Sequence, residues 1–261
     1  MTPIAGQAKS GANRPVTILH NSPTRSARQQ DPAARPDGAE GAAPPRFPVS
    51  GSASQPPARL VVLVAGNGSN LQAILDAIAD ARLAAEVVLV VSHRENAYAL
   101  TRAARHGVAT AVRTLAATLA AGGSREDYDA QLAALVATAR PDLVVCAGWM
   151  LILGPRFLRP FGALTINLHP ALPGTFVGKD AILRAWEAAQ RGELATTGVM
   201  VHRVIADLDA GEPLAVEEVA IAPGETLEAL TGRMHAAEHR VLIAAIAREL
   251  AGESAARVAK A

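Results

Sequence analysis

Leu60-Val61-Val62-Leu63-Val64-Ala65 runs straight into Gly66-Asn67-Gly68-Ser69-Asn70, and Leu71, Ile74, Leu75 and Ile78 follow at helical spacing. A short all-apolar run of this kind marks a strand buried on both faces. The glycines let the backbone turn tightly, so that Ser69, Asn70 and the free amides of a first helical turn face whatever lies there. Such a strand–loop–helix unit suits a phosphate monoester. It does not read as a dinucleotide fingerprint. Leu71 stands at the third glycine position, and Ser92-His93 replaces the acid expected after the second strand. A Walker loop is excluded too, because no Gly-Lys-Ser/Thr follows. A plain helix N-cap with no ligand is the alternative.

Outward from this unit the alternation repeats. Residues 86–92 read as a second buried strand, 97–106 as a helix, 109–113 as a weaker third strand and 115–124 as an Ala/Gly-rich mobile loop. Residues 128–139 are helical in pattern, and Pro141-Asp142 leads into a strand over 143–147. Another strand is expected over 164–168. Strands alternating with helices imply a parallel sheet with right-handed crossovers. After Gly198 the style changes, with strand-like 199–205 and 214–221 joined by a short polar turn, an antiparallel hairpin at the sheet edge. Residues 226–249 close the chain as a long helix. The fold class is therefore α/β: one open, mostly parallel twisted sheet with helices on both faces, an antiparallel edge hairpin and a long C-terminal helix.

Residues 1–58 differ from this domain, which is expected over 59–255. They hold most of the 17 prolines and show no sustained apolar period. A disordered Pro/Ala/Arg-rich extension is expected, since it buries too little to offset its ordering entropy. Arg and Ser with few acids hint at organelle targeting, but the prolines prevent a long amphipathic helix. The net charge of +1 gives no field for nucleic acid or a membrane surface. No apolar stretch approaches the roughly 20 residues that span a bilayer. Cys146, the single cysteine, rules out an internal disulfide and a multi-cysteine metal site. Nothing near it would lower its pKa, so it reads as a buried inert thiol. A cytoplasmic protein without a metal is the expectation.

The chemistry concentrates in Ile166-Asn167-Leu168-His169-Pro170, with Asp209-Ala210-Gly211 some forty residues later. Asn167 and His169 alternate along a strand end, so their side chains leave on one face. A neutral donor beside a titratable ring can hold a carbonyl oxygen as it becomes an oxyanion and move a proton near neutral pH. A carboxylate such as Asp209, if the fold brings it alongside, would orient His169 and raise its pKa above about 6.5. The pattern suggests acyl-type transfer. The apolar stretch Met150, Leu151, Ile152, Leu153 leaves a strand end and is either core or the wall of a slot for a flat ring. His202 in the edge hairpin reads as a supporting residue behind the site. For Glu238, in the last helix, a solvated face is the default.

These motifs resemble the phosphoribosylglycinamide formyltransferases. Residues 65–74 look like that family's substrate loop, and 141–153, 166–173, 198–202 and 207–211 match its other motifs in the right order. The resemblance covers about residues 59–250, and the wording of 171–174 and 211–213 is closest to the fungal form. It implies transfer of a formyl group from 10-formyltetrahydrofolate, as co-substrate, to the amine of glycinamide ribonucleotide in purine synthesis. By position, Asn167, His169 and Asp209 would be the catalytic set. Gly68, Ser69 and Asn70 would hold the substrate phosphate, with Pro170 nearby and Glu238 at the ribose. Met150, Leu151, Ile152 and Leu153, together with Ile205, Ala206, Asp207, Leu208 and Asp209, would surround the pterin. Arg125 would sit near the folate tail. No metal and no nucleic-acid partner is implied, and a monomer or weak homodimer is expected. Two residues depart from the family's pattern. Leu151 replaces a common basic residue, and Arg203 stands where an apolar or aromatic one is usual. Formyltetrahydrofolate hydrolases and tRNA formyltransferases share the Asn-x-His…Asp set. The hydrolases usually carry an N-terminal regulatory domain, and the tRNA enzymes would want a further basic domain. A non-catalytic folate- or nucleotide-binding module is the remaining alternative.

Overall fold

A computed structural model of the chain describes residues 56–258. The expectation of a disordered 1–58 extension lies outside the described residues except at its end, where Ala58 already belongs to the first strand. The elements are β1 (Ala58–Val64), α1 (Ser69–Ala79), β2 (Ala85–Ser92), α2 (Tyr98–Arg105), β3 (Thr110–Val112), α3 (Leu115–Ala120), α4 (Arg125–Thr138), β4 (Leu143–Cys146), α5 (Pro155–Phe161), β5 (Thr165–His169), α6 (Ala181–Gln190), β6 (Thr196–Arg203), β7 (Pro213–Ala220) and α7 (Leu227–Val258). The strands form one sheet in the order β3-β2-β1-β4-β5-β6-β7. Neighbours from β3 through β5 pair in parallel, while β6 and β7 run antiparallel. The strand order reverses between β1 and β4. At such a switch point the connections leave in opposite directions and open a crevice beyond the strands' C-terminal ends.

β1 shows why its apolar run is unbroken. Leu60, Val62 and Val64 point into one core layer, and Val61 and Leu63 into the other. The first layer lies under α1, α2, α6 and α7. The second lies under α4 and α5 and centres on Tyr128 and Phe157. Cys146 is buried there, and burial pushes its thiol up to about 12, which leaves it inert as expected.

The sheet, the edge hairpin and the long last helix agree with the sequence. Several local expectations do not. Residues 115–120 are the helix α3 rather than a loop, because Thr114 caps it by accepting the Ala117 amide at 3.1 Å. The next helix, α4, starts at Arg125, three residues early, on a reciprocal cap between Ser124 and Asp127. Two helices escaped the apolar pattern. α5 is a short helix begun by Pro155, and α6 buries only alanines, Ala181, Ala185 and Ala188. The link between β6 and β7 is the long segment 204–212, not a short turn. The last helix, α7, continues past residue 249 to Val258. Arg203 is accommodated at the edge by donating to the Ala163 carbonyl at 2.8 Å and pairing with Glu249.

Candidate active site

Asn167 and His169 lie at the end of β5, and the antiparallel register places His202 of β6 directly opposite Asn167. Asp209 arrives from the 204–212 link with φ of +52°, a conformation that Asp tolerates better than most residues. Gly211 makes this return possible, since a Cβ there would meet the Arg203 carbonyl oxygen at 1.7 Å. The second residue of the Asp-x-Gly pair therefore serves packing, and the first serves the site.

The polar groups interlock. Asp209 Oδ2 accepts the Gly178 amide at 2.8 Å and lies 3.5 Å from His169 Nδ1. Asp209 Oδ1 lies 3.6 Å from His202 Nε2 and accepts from Asn167 Nδ2 at 3.4 Å. His202 Nδ1 is 2.9 Å from the Arg203 carbonyl, which can only accept, so Nδ1 carries a proton. In the neutral ring Nε2 is then the acceptor for Asn167 Nδ2, 3.1 Å away. Both amide hydrogens of Asn167 are thus turned towards His202 and Asp209. His202, only 2% exposed, lies against Asn167 and Asp209. Gly178 was not foreseen, because a backbone amide leaves no side-chain signal.

One expectation is overturned. The His169 pKa is lowered, not raised. Burial of the ring, which is 4% exposed, outweighs the attraction of Asp209 and the Phe176 carbonyl. Asp209 moves the opposite way. Burial pushes its pKa up, but His202, the Gly178 amide and the His169 charge together hold it below the usual carboxylate range. The resting pair is a carboxylate beside a neutral imidazole whose buried Nε2 has no hydrogen-bond partner among the described residues.

These groups share a cavity of about 810 Å³ with Asn70, Pro170 and Glu238. Met150, Leu151, Ile152 and Leu153 line it on one side, and Ile205, Ala206, Asp207 and Leu208 on another. Met150, Ile152, Ile205 and Leu208 stay about half exposed there, an apolar mouth suited to a flat ring. Trp149 adds an aromatic wall, backed edge-on by His93 at 4.8 Å. Arg125 also lines the cavity. Its guanidinium is bound to the Ile152 carbonyl and to the buried Asp129, so it braces the 149–153 segment.

At the far end Asn70 Nδ2 donates to Glu238 Oε2 at 2.9 Å. Glu238 is 6% exposed, not on a solvated face, and burial raises its pKa against the pull of Asn70 and His235. Asn70 Oδ1 is buried without a partner among the described residues. Gly68 and Ser69 are not on the cavity wall. Gly68 caps α1 with φ of +80°, and a Cβ there would meet the Ala99 Cβ at 2.6 Å. Arg102 of α2 grips the same loop, donating from Nε and Nη2 to the Asn67 carbonyl and Oδ1, each at 2.9 Å. Sequence reading missed this clamp because nothing local links α2 to the loop.

A half-buried Asn with a buried His and Asp at the switch-point edge of an α/β sheet, beside an apolar slot and a polar end, is the architecture of a group-transfer enzyme. Comparison with known proteins gives that class its content. The family model described as formyl transferase matches residues 58–246, and the chain belongs to this family. It is 50% identical over 197 residues to the phosphoribosylglycinamide formyltransferase of Schizosaccharomyces pombe, covering 72% of this chain and 95% of the relative. The Saccharomyces cerevisiae protein of the same name is 44% identical over 203 residues, with the same coverage. Among solved structures, glycinamide ribonucleotide transformylase 1 from Symbiobacterium toebii superposes with a TM-score of 0.68 at 36% identity, over 74% of this chain and 87% of that one. Family membership makes the chain an enzyme of one-carbon transfer and implies a folate-derived co-substrate, which the apolar mouth fits. Among the described residues no His/Cys/Asp/Glu cluster suits a metal, and no helix is long and apolar enough to cross a membrane.

Proposed function

We propose that this chain transfers the formyl group of 10-formyltetrahydrofolate to the amine of glycinamide ribonucleotide, in de novo purine biosynthesis. One observation carries the reading. A single cavity joins the Asn167–His169–Asp209 cluster to an apolar slot on one side and to the Asn70–Glu238 pair on the other. The slot suits the pterin, bounded by Met150 to Leu153 and by Ile205 to Asp209. The other end suits a phosphorylated ribose. Asn70 and the amides opening α1 would hold the phosphate, and Glu238 would accept from ribose hydroxyls.

His169, neutral at rest, accepts the amine proton at Nε2 as nitrogen bonds to the formyl carbon. The imidazolium so formed is held by the Asp209 carboxylate and donates towards the new oxyanion. Asn167 releases its long 3.4 Å contact to Asp209 and supplies a second hydrogen. When the tetrahedral centre collapses, His169 returns a proton to the departing folate nitrogen. The amine thus loses one proton and the folate nitrogen gains one. The positive charge on His169 exists only during the reaction, so its pairing with Asp209 stabilises the transition state above the ground state. Burial that lowers the resting pKa keeps His169 ready as a base at neutral pH. The kcat/KM of this enzyme is therefore expected to be flat near pH 7–8 and to fall once pH drops below the ordinary histidine value of about 6.5. A rate that rises on acidification would show instead that the charged ring enters the reaction.

The decisive assay follows folate release spectrophotometrically with purified protein and 10-formyltetrahydrofolate. Release only when glycinamide ribonucleotide is present supports the transferase. Release without it makes the enzyme a hydrolase, and no release in either case sinks the proposed acceptor.

A further inference from the structure

The residues assigned to the phosphate are all neutral, and Asn70 is bonded to the acid Glu238. Arg102, the cation at the same loop, is already committed to the Asn67 carbonyl and Oδ1 and to Gln72 Oε1. A phosphate monoester brings close to two negative charges at neutral pH. The cations on the cavity wall are Arg94, Arg125 and Lys179. Arg125 is committed to the Ile152 carbonyl and Asp129. Lys179 follows Gly178, so it belongs to the Asp209 end. Arg94 is different. Its guanidinium makes no hydrogen bond or ion pair among the described residues, and nothing in its sequence context marked it.

The backbone places Arg94 beside the glycine loop. Val64 of β1 pairs with Ser92 of β2 in register, so Gly66 and Arg94 each stand two residues beyond the same rung. Adjacent strands lie about 4.8 Å apart. The fully buried Ser92 hydroxyl accepts the Arg94 amide at 3.0 Å and donates to the Arg94 carbonyl at 2.8 Å, which fixes the turn that carries this side chain. The following segment then closes on the loop, with the Ala99 amide donating to the Gly66 carbonyl at 3.1 Å and the Ala99 side chain against Gly68. Arg94 and Asn70 face one cavity.

We propose that Arg94 is a further substrate-binding residue, whose guanidinium provides the positive charge for the phosphate of the ribonucleotide. This rests on the acceptor assigned above. A forked guanidinium matches phosphate oxygens, and charge-assisted bonds of this kind are among the stronger ones in proteins.

The test is steady-state kinetics on Arg94→Ala, Arg94→Lys and Lys179→Ala in the full chain. Arg94→Ala is expected to raise the KM for glycinamide ribonucleotide about tenfold or more, the loss expected for a hydrogen bond to a charged group. Its kcat and its KM for 10-formyltetrahydrofolate should stay within about twofold. Arg94→Lys keeps the charge and should recover part of the loss, whereas Lys179→Ala should not reproduce it. A rise in the folate KM alone would place Arg94 at the folate tail and overturn the proposal, as would unchanged constants or the ribonucleotide effect appearing in Lys179→Ala instead. Calorimetry with ribose 5-phosphate reads the contact without turnover. Wild-type protein should bind it more tightly than Arg94→Ala, and equal affinities overturn the proposal. Wild type that shows this difference but formylates no glycinamide ribonucleotide would break the acceptor assignment and leave the phosphate contact standing.

Discussion

The two ends of the cavity are built on opposite electrostatic plans. At the β5–β6 end Asp209 accepts from the Gly178 amide and Asn167 and has the His169 and His202 rings beside it, and it stays ionised although only 9% of it is exposed. At the α1–α7 end Glu238 is equally buried but has one donor, Asn70, and its ionised form is disfavoured. A group that must respond to charge appearing during a reaction benefits from a prearranged environment that costs no reorganisation at that moment. A group that anchors a ligand can wait half-satisfied, because the ligand supplies the missing partners. The unpartnered Oδ1 of Asn70 fits the second plan.

The largest expected effect lies at the first end. His169→Ala should cut kcat at least about a hundredfold, within the usual range for a general acid–base, while folate binding and the fold persist. Turnover near that of wild type would remove His169 from the chemistry and erase the contrast. Asn70→Ala should act differently, raising the KM for the ribonucleotide about tenfold with little change in kcat, since a remote phosphate contact binds ground state and transition state alike. A pure kcat loss there would mean that both ends serve the chemical step.

The smallest effects test the electrostatics directly, through melting temperatures. The Asp209 pKa is depressed, so its ionised form stabilises the fold at pH values above the ordinary Asp value, and this is lost as pH falls through the native value. Asp209→Asn should melt lower than wild type at pH 7, and the gap should close towards pH 3. The Glu238 pKa is raised, so stability is highest where it is protonated and falls as pH rises from the ordinary Glu value through the native one. Glu238→Gln keeps an acceptor for Asn70 and should melt higher at pH 7, with that gap closing below pH 4. Shifts of about 2–4 °C are expected, the scale of ~1 kcal/mol in a domain of this size. Shifts of the same sign in both variants would show that the two carboxylates are not held in opposite ways.

Legibility in the sequence followed the same division. β1, β2 and β4 are largely apolar runs that need both faces covered, and they were readable as such. α6 was not, because its buried face consists of alanines that any exposed helix also carries. α5 was hidden by its prolines at both ends. At the site, Asn167 and His169 were readable together because strand alternation puts them on one face. The burial of Glu238 was not, since a helix face is solvated or buried according to what packs on it. The direction of the His169 shift went the wrong way for a related reason. Proximity to Asp209 can be guessed from motifs, but the depth of the ring cannot.

What the sequence by itself determined is the chemical inventory and the local geometry: an α/β alternation, a glycine loop opening a helix, and a donor, a ring and a carboxylate suited to acyl transfer. These rest on periodicity and on backbone preferences that act within a few residues. Tertiary structure alone decided that the Gly178 amide and His202 hold Asp209, that Arg125 is turned to Ile152, and that Arg94 stands level with Gly66. It also decided which of two equally buried carboxylates is ionised. Charge states depend on desolvation and on partners brought together from distant parts of the chain, and only packing sets those.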